Sequence, residues 1–271
     1  MATEPVLADS HIHLFENGFI GPDGGSPSGG DEVAEYEKLR QVNNIDAALV
    51  VGYEGEKAYL GNNAYIGRTA RRHAWIKPLA YLHHSASHRE VQEWLDEGFY
   101  GVSIYAVEEG DAESLADLIA RVGPVLSERR AVISLNVSAA VYSALRVGLE
   151  GLAGAPALIS HFGLPAKGAG TTRGGHQSLR SLVAMRENPS VFVKASGFYA
   201  LGGVLGADEV LTTVMEEFGP ERVLWGSDYP VVLSSESFRQ SISHLSSLPQ
   251  SARPGIRGDT LRDILARVEF P

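Results

Sequence analysis

The sequence predicts an α/β protein folded as a (β/α)8 barrel, one domain over residues 1–271. Three observations predict it. Runs rich in Val, Ile and Leu recur eight times with helix-like segments between them, the alternation that builds parallel sheets. The repeat averages roughly 30 residues, so eight units use nearly the whole chain, near the usual length of such a barrel. The first run ends in Asp9-Ser10-His11-Ile12-His13, without the glycine-rich phosphate turn that a doubly wound open sheet needs there.

The strands are expected over Val6 to His13, Ile45 to Tyr53, Trp75 to Leu82, Gly101 to Tyr105, Ala131 to Val137, Ala157 to Phe162, Val191 to Ser196 and Val223 to Asp228. Several are continuously apolar rather than alternating, as strands buried on both faces should be. Helices are expected over Asp31 to Asn43, Asn63 to His73, Arg89 to Glu97, Ser114 to Arg121, Ala139 to Gly148, Ser178 to Glu187, Asp208 to Phe218 and Glu236 to Leu245. A last helix, Asp259 to Val268, is read as starting from an amino-terminal cap in Asp259. Two glycine-rich stretches, 17–30 and 163–176, follow strands one and six on the face where barrel enzymes keep their active sites. Loops of that length tend to be functional.

Composition narrows the function. With 33 acidic against 23 basic residues the chain carries a net charge of −10 and no long basic run, which argues against nucleic acid and anionic membranes as partners. There is no cysteine, so a metal here would need His, Asp or Glu ligands. The amino terminus lacks the basic and apolar regions of a signal peptide, and a cytoplasmic location is expected.

His11 and His13 stand two apart at the end of strand one, so the strand period puts both imidazoles on one side. Asp9 shares that parity one step deeper, where it could orient a ligand. His161 ends strand six and Asp228 ends strand eight. In a barrel all four rise around one mouth, and three imidazoles with one carboxylate suit a divalent cation such as Zn²⁺ or Mn²⁺. Tyr105, Asn136 and Tyr199 also end strands and offer hydroxyl or amide contacts to a substrate. Lys194, on strand seven, could meet a substrate oxygen or pair with a buried acid. Arg173, in the second glycine-rich stretch, is the best cation for a substrate carboxylate.

The Asp-x-His-x-His opening, Gly-Phe-Tyr-Gly-Val at 98–102, Ser-His-Phe-Gly at 160–163, Val-Lys-Ala-Ser-Gly at 193–197, Trp-Gly-Ser-Asp-Tyr-Pro at 225–230 and Gly-Asp-Thr-Leu-Arg at 258–262 follow one another along nearly the whole chain. Together they resemble the amidohydrolase superfamily, in its branch of sugar and pyrone-dicarboxylate lactonases and aromatic-acid decarboxylases. The resemblance implies a TIM barrel with His11, His13, His161 and Asp228 as its polar centre, one divalent metal ion in many members and none in some lactonases. It also implies Asp228 as general base, with His161 beside it in catalysis. Two positions depart from the pattern. Ser103 stands where two-metal members carry a bridging lysine and dicarboxylate lactonases tend to carry arginine. Asn136 stands where metal-dependent decarboxylases usually supply histidine.

The expectation is therefore a hydrolase that opens a lactone or related ester-like bond of a small polar substrate with activated water. The alternatives are a metal-dependent non-oxidative decarboxylase of an aromatic or unsaturated acid and a catalytically silent barrel; the intact four-residue centre counts against the last. A small-molecule substrate is the expected partner, with assembly into a homo-oligomer left open.

Overall fold

Each of the eight apolar runs forms a strand of one parallel sheet, ordered β1 to β8 as in the chain. The computed structural model describes residues 6–150, 152, 154–163, 172–201, 205–248 and 250–271. The strands are β1 (Leu7–Ile12), β2 (Ile45–Val51), β3 (Ile76–Tyr81), β4 (Gly101–Ala106), β5 (Val132–Val137), β6 (Ala157–Ile159), β7 (Val191–Ala195) and β8 (Val223–Trp225). Their two-residue period sorts side chains into two environments. Val102, Ile104, Ile133, Leu135, Val193 and Trp225 belong to the large core that also includes the helices. Ala47, Leu49, Leu79, Val132, Leu158 and Leu224 form a second, smaller cluster. Fully burying each Val, Leu or Ile among them contributes about 1.5–3 kcal/mol. Ser103, Ser134 and Lys194 share the parity of the smaller cluster and are fully buried, so the barrel interior is polar one step towards the carboxyl ends of the strands.

The sheet closes at a seam between β1 and the residues just after β8. Ile12 and Tyr229 form a parallel bridge, His13 N–H donates to Tyr229 O (2.6 Å) and Asp228 N–H donates to His11 O (2.8 Å). Asp9 clasps the seam. Its Oδ1 accepts from the backbone N–H of His11 (3.1 Å) and of Ser227 (2.9 Å), and its Oδ2 accepts from Tyr36 Oη (2.9 Å).

The helices are α1 (Glu32–Val42), α2 (Asn62–Ala70), α3 (His88–Asp96), α4 (Ala112–Glu128), α5 (Tyr142–Glu150), α6 (Thr172–Val183), α7 (Ala207–Phe218), α8 (Phe238–Ser243) and α9 (Thr260–Leu265). Asp31 caps α1 by accepting from Val33 and Ala34 N–H, and Ser87 caps α3 by accepting from Glu90 N–H. Three expectations need correction. Helix α4 runs on past Arg121 through Pro124, because Val122, Val125 and Leu126 bury on the core and hold the helical path. The stretch 163–176 is not all loop, since α6 begins at Thr172. Asp259 does not cap α9: the chain kinks at Gly258 (φ 154°), Asp259 itself already has helical backbone angles, and its carboxylate accepts from Arg262 rather than from a backbone N–H of the first turn. Among the described residues no helix is long and apolar enough to cross a membrane.

Candidate active site

The seam brings three side chains to one point. His11 Nε2 lies 3.2 Å from His13 Nε2, and Asp228 Oδ1 lies 3.5 Å from the first and 3.8 Å from the second. The two histidines come from one strand by the period of two. Asp228 reaches them because its backbone turns sharply at the end of β8, with φ 61°. A non-glycine residue in that region costs about 1–3 kcal/mol and persists where surrounding bonds enforce it; here the Asp228 N–H bond to His11 O does so. Gly226 makes room, since a Cβ there would stand 2.8 Å from His11 Cβ.

His161 packs beside this cluster, its ring centroid 4.5 Å from that of His11. It too has a left-handed backbone, φ 54°. Its Nδ1 is 3.0 Å from Ser196 Oγ. Gly197, at φ +62°, is required on two counts: the backbone sign, and a Cβ that would stand 2.6 Å from His161 Nδ1.

Burial sets the charges. It lowers the pKa of His13 to about 4 and of His161 to about 3, and pushes His11 well down with help from the Lys194 charge. The imidazoles are therefore neutral near pH 7, with lone pairs to offer. Burial raises Asp228 to about 7 against the opposing hydrogen bond from Tyr199, whose hydroxyl donates to Oδ2. Burial also brings Lys194 down to about 7, while Asp228 and Asp9 pull it up.

The cluster fits a metal ion. Ligand atoms on one ion at about 2.0–2.2 Å stand roughly 3.0–3.5 Å apart in tetrahedral or octahedral geometry, and the Nε2–Nε2 and His11–Asp228 separations fall in that range. Asp228 Oδ1 is buried with no hydrogen-bond partner among the described residues, which an ion would supply. His13 Nδ1 lies 2.7 Å from Val51 O, so that nitrogen carries the proton and Nε2 presents its lone pair. His11 Nδ1 faces Lys194 Nζ (3.2 Å) and Ser160 Oγ (3.3 Å), and the serine oxygen can accept its proton. His11, His13 and Asp228 form the candidate metal group; His161, expected as a fourth ligand, is not part of it.

The other predicted residues fall in distinct places. Tyr105 and Asn136 are register partners on β4 and β5; Tyr105 Oη and Asn136 Nδ2 are buried without partners among the described residues. Tyr199 binds Asp228, as above. Lys194 Nζ lies under His11 and donates to Ser134 Oγ at 2.6 Å. Ser103 Oγ is spent on Gly52 O. Arg173 lies in α6, and its side chain is outside the described residues. Asp9 orients backbone, as the clasp of the seam, and not a ligand side chain.

A cavity of about 420 Å³ opens beside His13, lined by Phe15, Phe19, Tyr53, Tyr59, Tyr105 and Glu56 among others. The rings touch in sequence: Phe15 and Tyr59 at 4.3 Å, Tyr59 and Tyr53 at 5.7 Å, Tyr53 and Tyr105 at 4.9 Å between centroids. Sequence reasoning singled out only Tyr105 of this wall. The available signal for Tyr53 was its position at the end of the second apolar run. Buried Glu32 steadies the same wall, accepting from the N–H groups of Phe15 (2.7 Å) and Phe19 (2.6 Å).

Fold and site together define a (β/α)8 barrel with its candidate site where the strands end. The chain belongs to the amidohydrolase family, whose profile matches residues 8–260. No curated protein matches it in sequence. Among solved structures it is similar to an amidohydrolase from Burkholderia multivorans with bound HEPES (TM-score 0.77, 19% identity, covering 96% of this chain and 99% of that one). A zinc-bound form of that amidohydrolase gives a TM-score of 0.74 at 20% identity over 96% and 99% of the two chains. It is also similar to a candidate 2-pyrone-4,6-dicarboxylic acid hydrolase from Pseudomonas putida (0.73, 20%, covering 97% and 98%). A 2,6-dihydroxybenzoate decarboxylase shares the fold more distantly (0.61, 14%, covering 97% and 98%).

Proposed function

We propose that the chain hydrolyses a lactone or related ester-like bond of a small polar substrate, with Asp228 as general base and then general acid. The observation that carries this is the Asp228 carboxylate. One oxygen is buried, unpartnered and aimed at two imidazole nitrogens, the other is fixed by Tyr199, and the pKa sits at about 7. A carboxylate so poised can take a proton and return it at neutral pH.

Asp228 Oδ1 takes a proton from water as its oxygen attacks the carbonyl carbon. The developing oxyanion needs donors, and the Tyr105 hydroxyl and Asn136 amide are two buried donors not yet used. One such donor contributes about 2.7–4 kcal/mol to transition-state stabilisation. The tetrahedral intermediate then collapses, the ring C–O bond breaks, and Asp228 passes its proton to the departing oxygen. His161, held through Nδ1 by Ser196, keeps Nε2 for substrate or proton exchange. Tyr199 fixes the carboxylate rotamer throughout. A single Zn²⁺ or Mn²⁺ held by His11, His13 and Asp228 would supply Lewis-acid polarisation of the carbonyl and a lower pKa for water. Lys194 and Ser160 brace His11 from below.

A second reading is decarboxylation of an aromatic or unsaturated acid, with Asp228 protonating the ring carbon. The aromatic lining of the cavity and the fold shared with the dihydroxybenzoate decarboxylase favour it. Product analysis decides between them. A panel of small lactones and aromatic acids is incubated with protein of known metal content. Ring opening with uptake of water supports the hydrolase; release of carbon dioxide without hydrolysis sinks it.

A further inference from the structure

The aromatic wall bounds what the cavity can accept. Its rings run from Phe15, which stacks on His13 at 5.7 Å and 11° between planes, through Tyr59 and Tyr53 to Tyr105. A planar π-system gains stacked or edge contacts along such a surface. The wall's polar atoms are largely spoken for. Tyr53 Oη donates to Glu56 Oε1 at 3.2 Å, and Tyr59 Oη accepts from Ile20 N–H at 3.2 Å. The Tyr105 hydroxyl is buried and unpartnered, one donor suited to one carbonyl oxygen. Among the described lining residues the formally charged side chain is Glu56, an anion.

We infer that the substrate is an uncharged lactone carrying a planar aromatic ring, benzo-fused or aryl-substituted, rather than a dicarboxylate or a polyhydroxylated sugar lactone. The inference rests on the hydrolase reading for the lactone and on the wall for the ring. The ring stacks among Phe15, Tyr53 and Tyr59, and the carbonyl turns inward towards Tyr105 and the cluster. A dicarboxylate would bring negative charge against Glu56. A sugar lactone would bring several hydroxyls against a wall that presents mainly ring faces, and hydroxyls left unpaired on binding lose affinity.

The test separates ring recognition from catalysis. Binding of 3,4-dihydro-2(1H)-quinolinone, a benzo-fused lactam that resists hydrolysis, is measured by calorimetry beside isophthalate as the dicarboxylate. Turnover is measured on dihydrocoumarin and on glucono-1,5-lactone. The lactam is expected to bind saturably and to compete with dihydrocoumarin. Tyr53→Leu and Phe15→Leu should each weaken it about tenfold or more, and Tyr53→Phe should restore binding to within about threefold. Tighter binding of isophthalate than of the lactam, lost in Arg173→Ala, would overturn the inference. So would an unchanged lactam affinity in both leucine variants, or preferred turnover of gluconolactone, which would leave the hydrolase reading standing. Ring-dependent lactam binding without hydrolysis of any lactone would support the inference and fail the hydrolase reading.

Discussion

Replacing Asp228 by asparagine should abolish activity while making the protein more stable. Asparagine is nearly isosteric, tolerates the φ of 61° at this position, and can still accept from Tyr199. It cannot take a proton, so kcat/KM for the lactone should fall roughly 10²–10⁴-fold, or about 3–5.5 kcal/mol of barrier. The stability change follows from the pKa. In metal-free protein, moving the carboxyl from 3.8 to about 7 means that, between those pH values, the folded state keeps a proton that the unfolded chain has released. Stability therefore falls as pH rises through that interval and stays lower above it. At about 1.4 kcal/mol per pH unit, the ionised carboxylate costs on the order of 4 kcal/mol at pH 8. Asparagine mimics the protonated acid and removes that cost. Urea denaturation of chelated protein at pH 8 should show the variant more stable by roughly 2–4 kcal/mol, and at pH 4 nearly equal. Hydrolysis is followed by proton release on the same preparations. Activity within tenfold of the parent, or a variant less stable at pH 8, would refute the assignment of Asp228 as a buried base.

Three further outcomes are expected. Gly197→Ala places a methyl 2.6 Å from His161 Nδ1 at a left-handed φ, so it should cost about 1–3 kcal/mol in thermal unfolding and lower kcat more than it raises KM; unchanged activity would separate His161 from catalysis. Burial raises Glu32 from 4.5 to about 7, so its contribution to stability falls between those pH values, and Glu32→Gln should flatten that part of the parent's pH–stability curve by about 3 kcal/mol in denaturant titrations. Purified protein reconstituted with Zn²⁺ or Mn²⁺ should bind one equivalent by elemental analysis, and His13→Ala should hold less than about a tenth of that; equal loading of both proteins would remove the ion from this cluster.

What the sequence reveals and what it hides follow from distance along the chain. Strand period alone puts His11 and His13 on one side, and the turn residues after β6 and β8 mark His161 and Asp228 as strand-end groups. The order of eight apolar runs is enough to bring these ends together. Depth is harder to read. Lys194 is legible as a strand-seven side chain, yet the small serines at 134 and 160 that let it lodge beneath His11 come from β5 and the end of β6. Asp9 has the parity of a ligand-orienting acid, but the backbone N–H groups of the closing seam claim it. The aromatic wall is built from residues 15, 53, 59 and 105, whose contacts depend on loop paths that no local pattern records. Asp259 looks like a cap because its neighbours resemble a helix start, whereas the break falls one residue earlier, at Gly258, and Asp259 is already in the helical conformation.

The clasp at Asp9 joins residues 218 positions apart, and Asp228 meets His11 and His13 across the same joint. A chain that has folded its first seven strands thus carries both imidazoles without Asp228 beside them, and the three-residue cluster assembles only as the last strand docks against the first. Long-range pairing of this kind forms late and slowly. Onset of turnover during refolding consequently times the final docking event, and fragments lacking either end should be inert while still largely helical and sheeted.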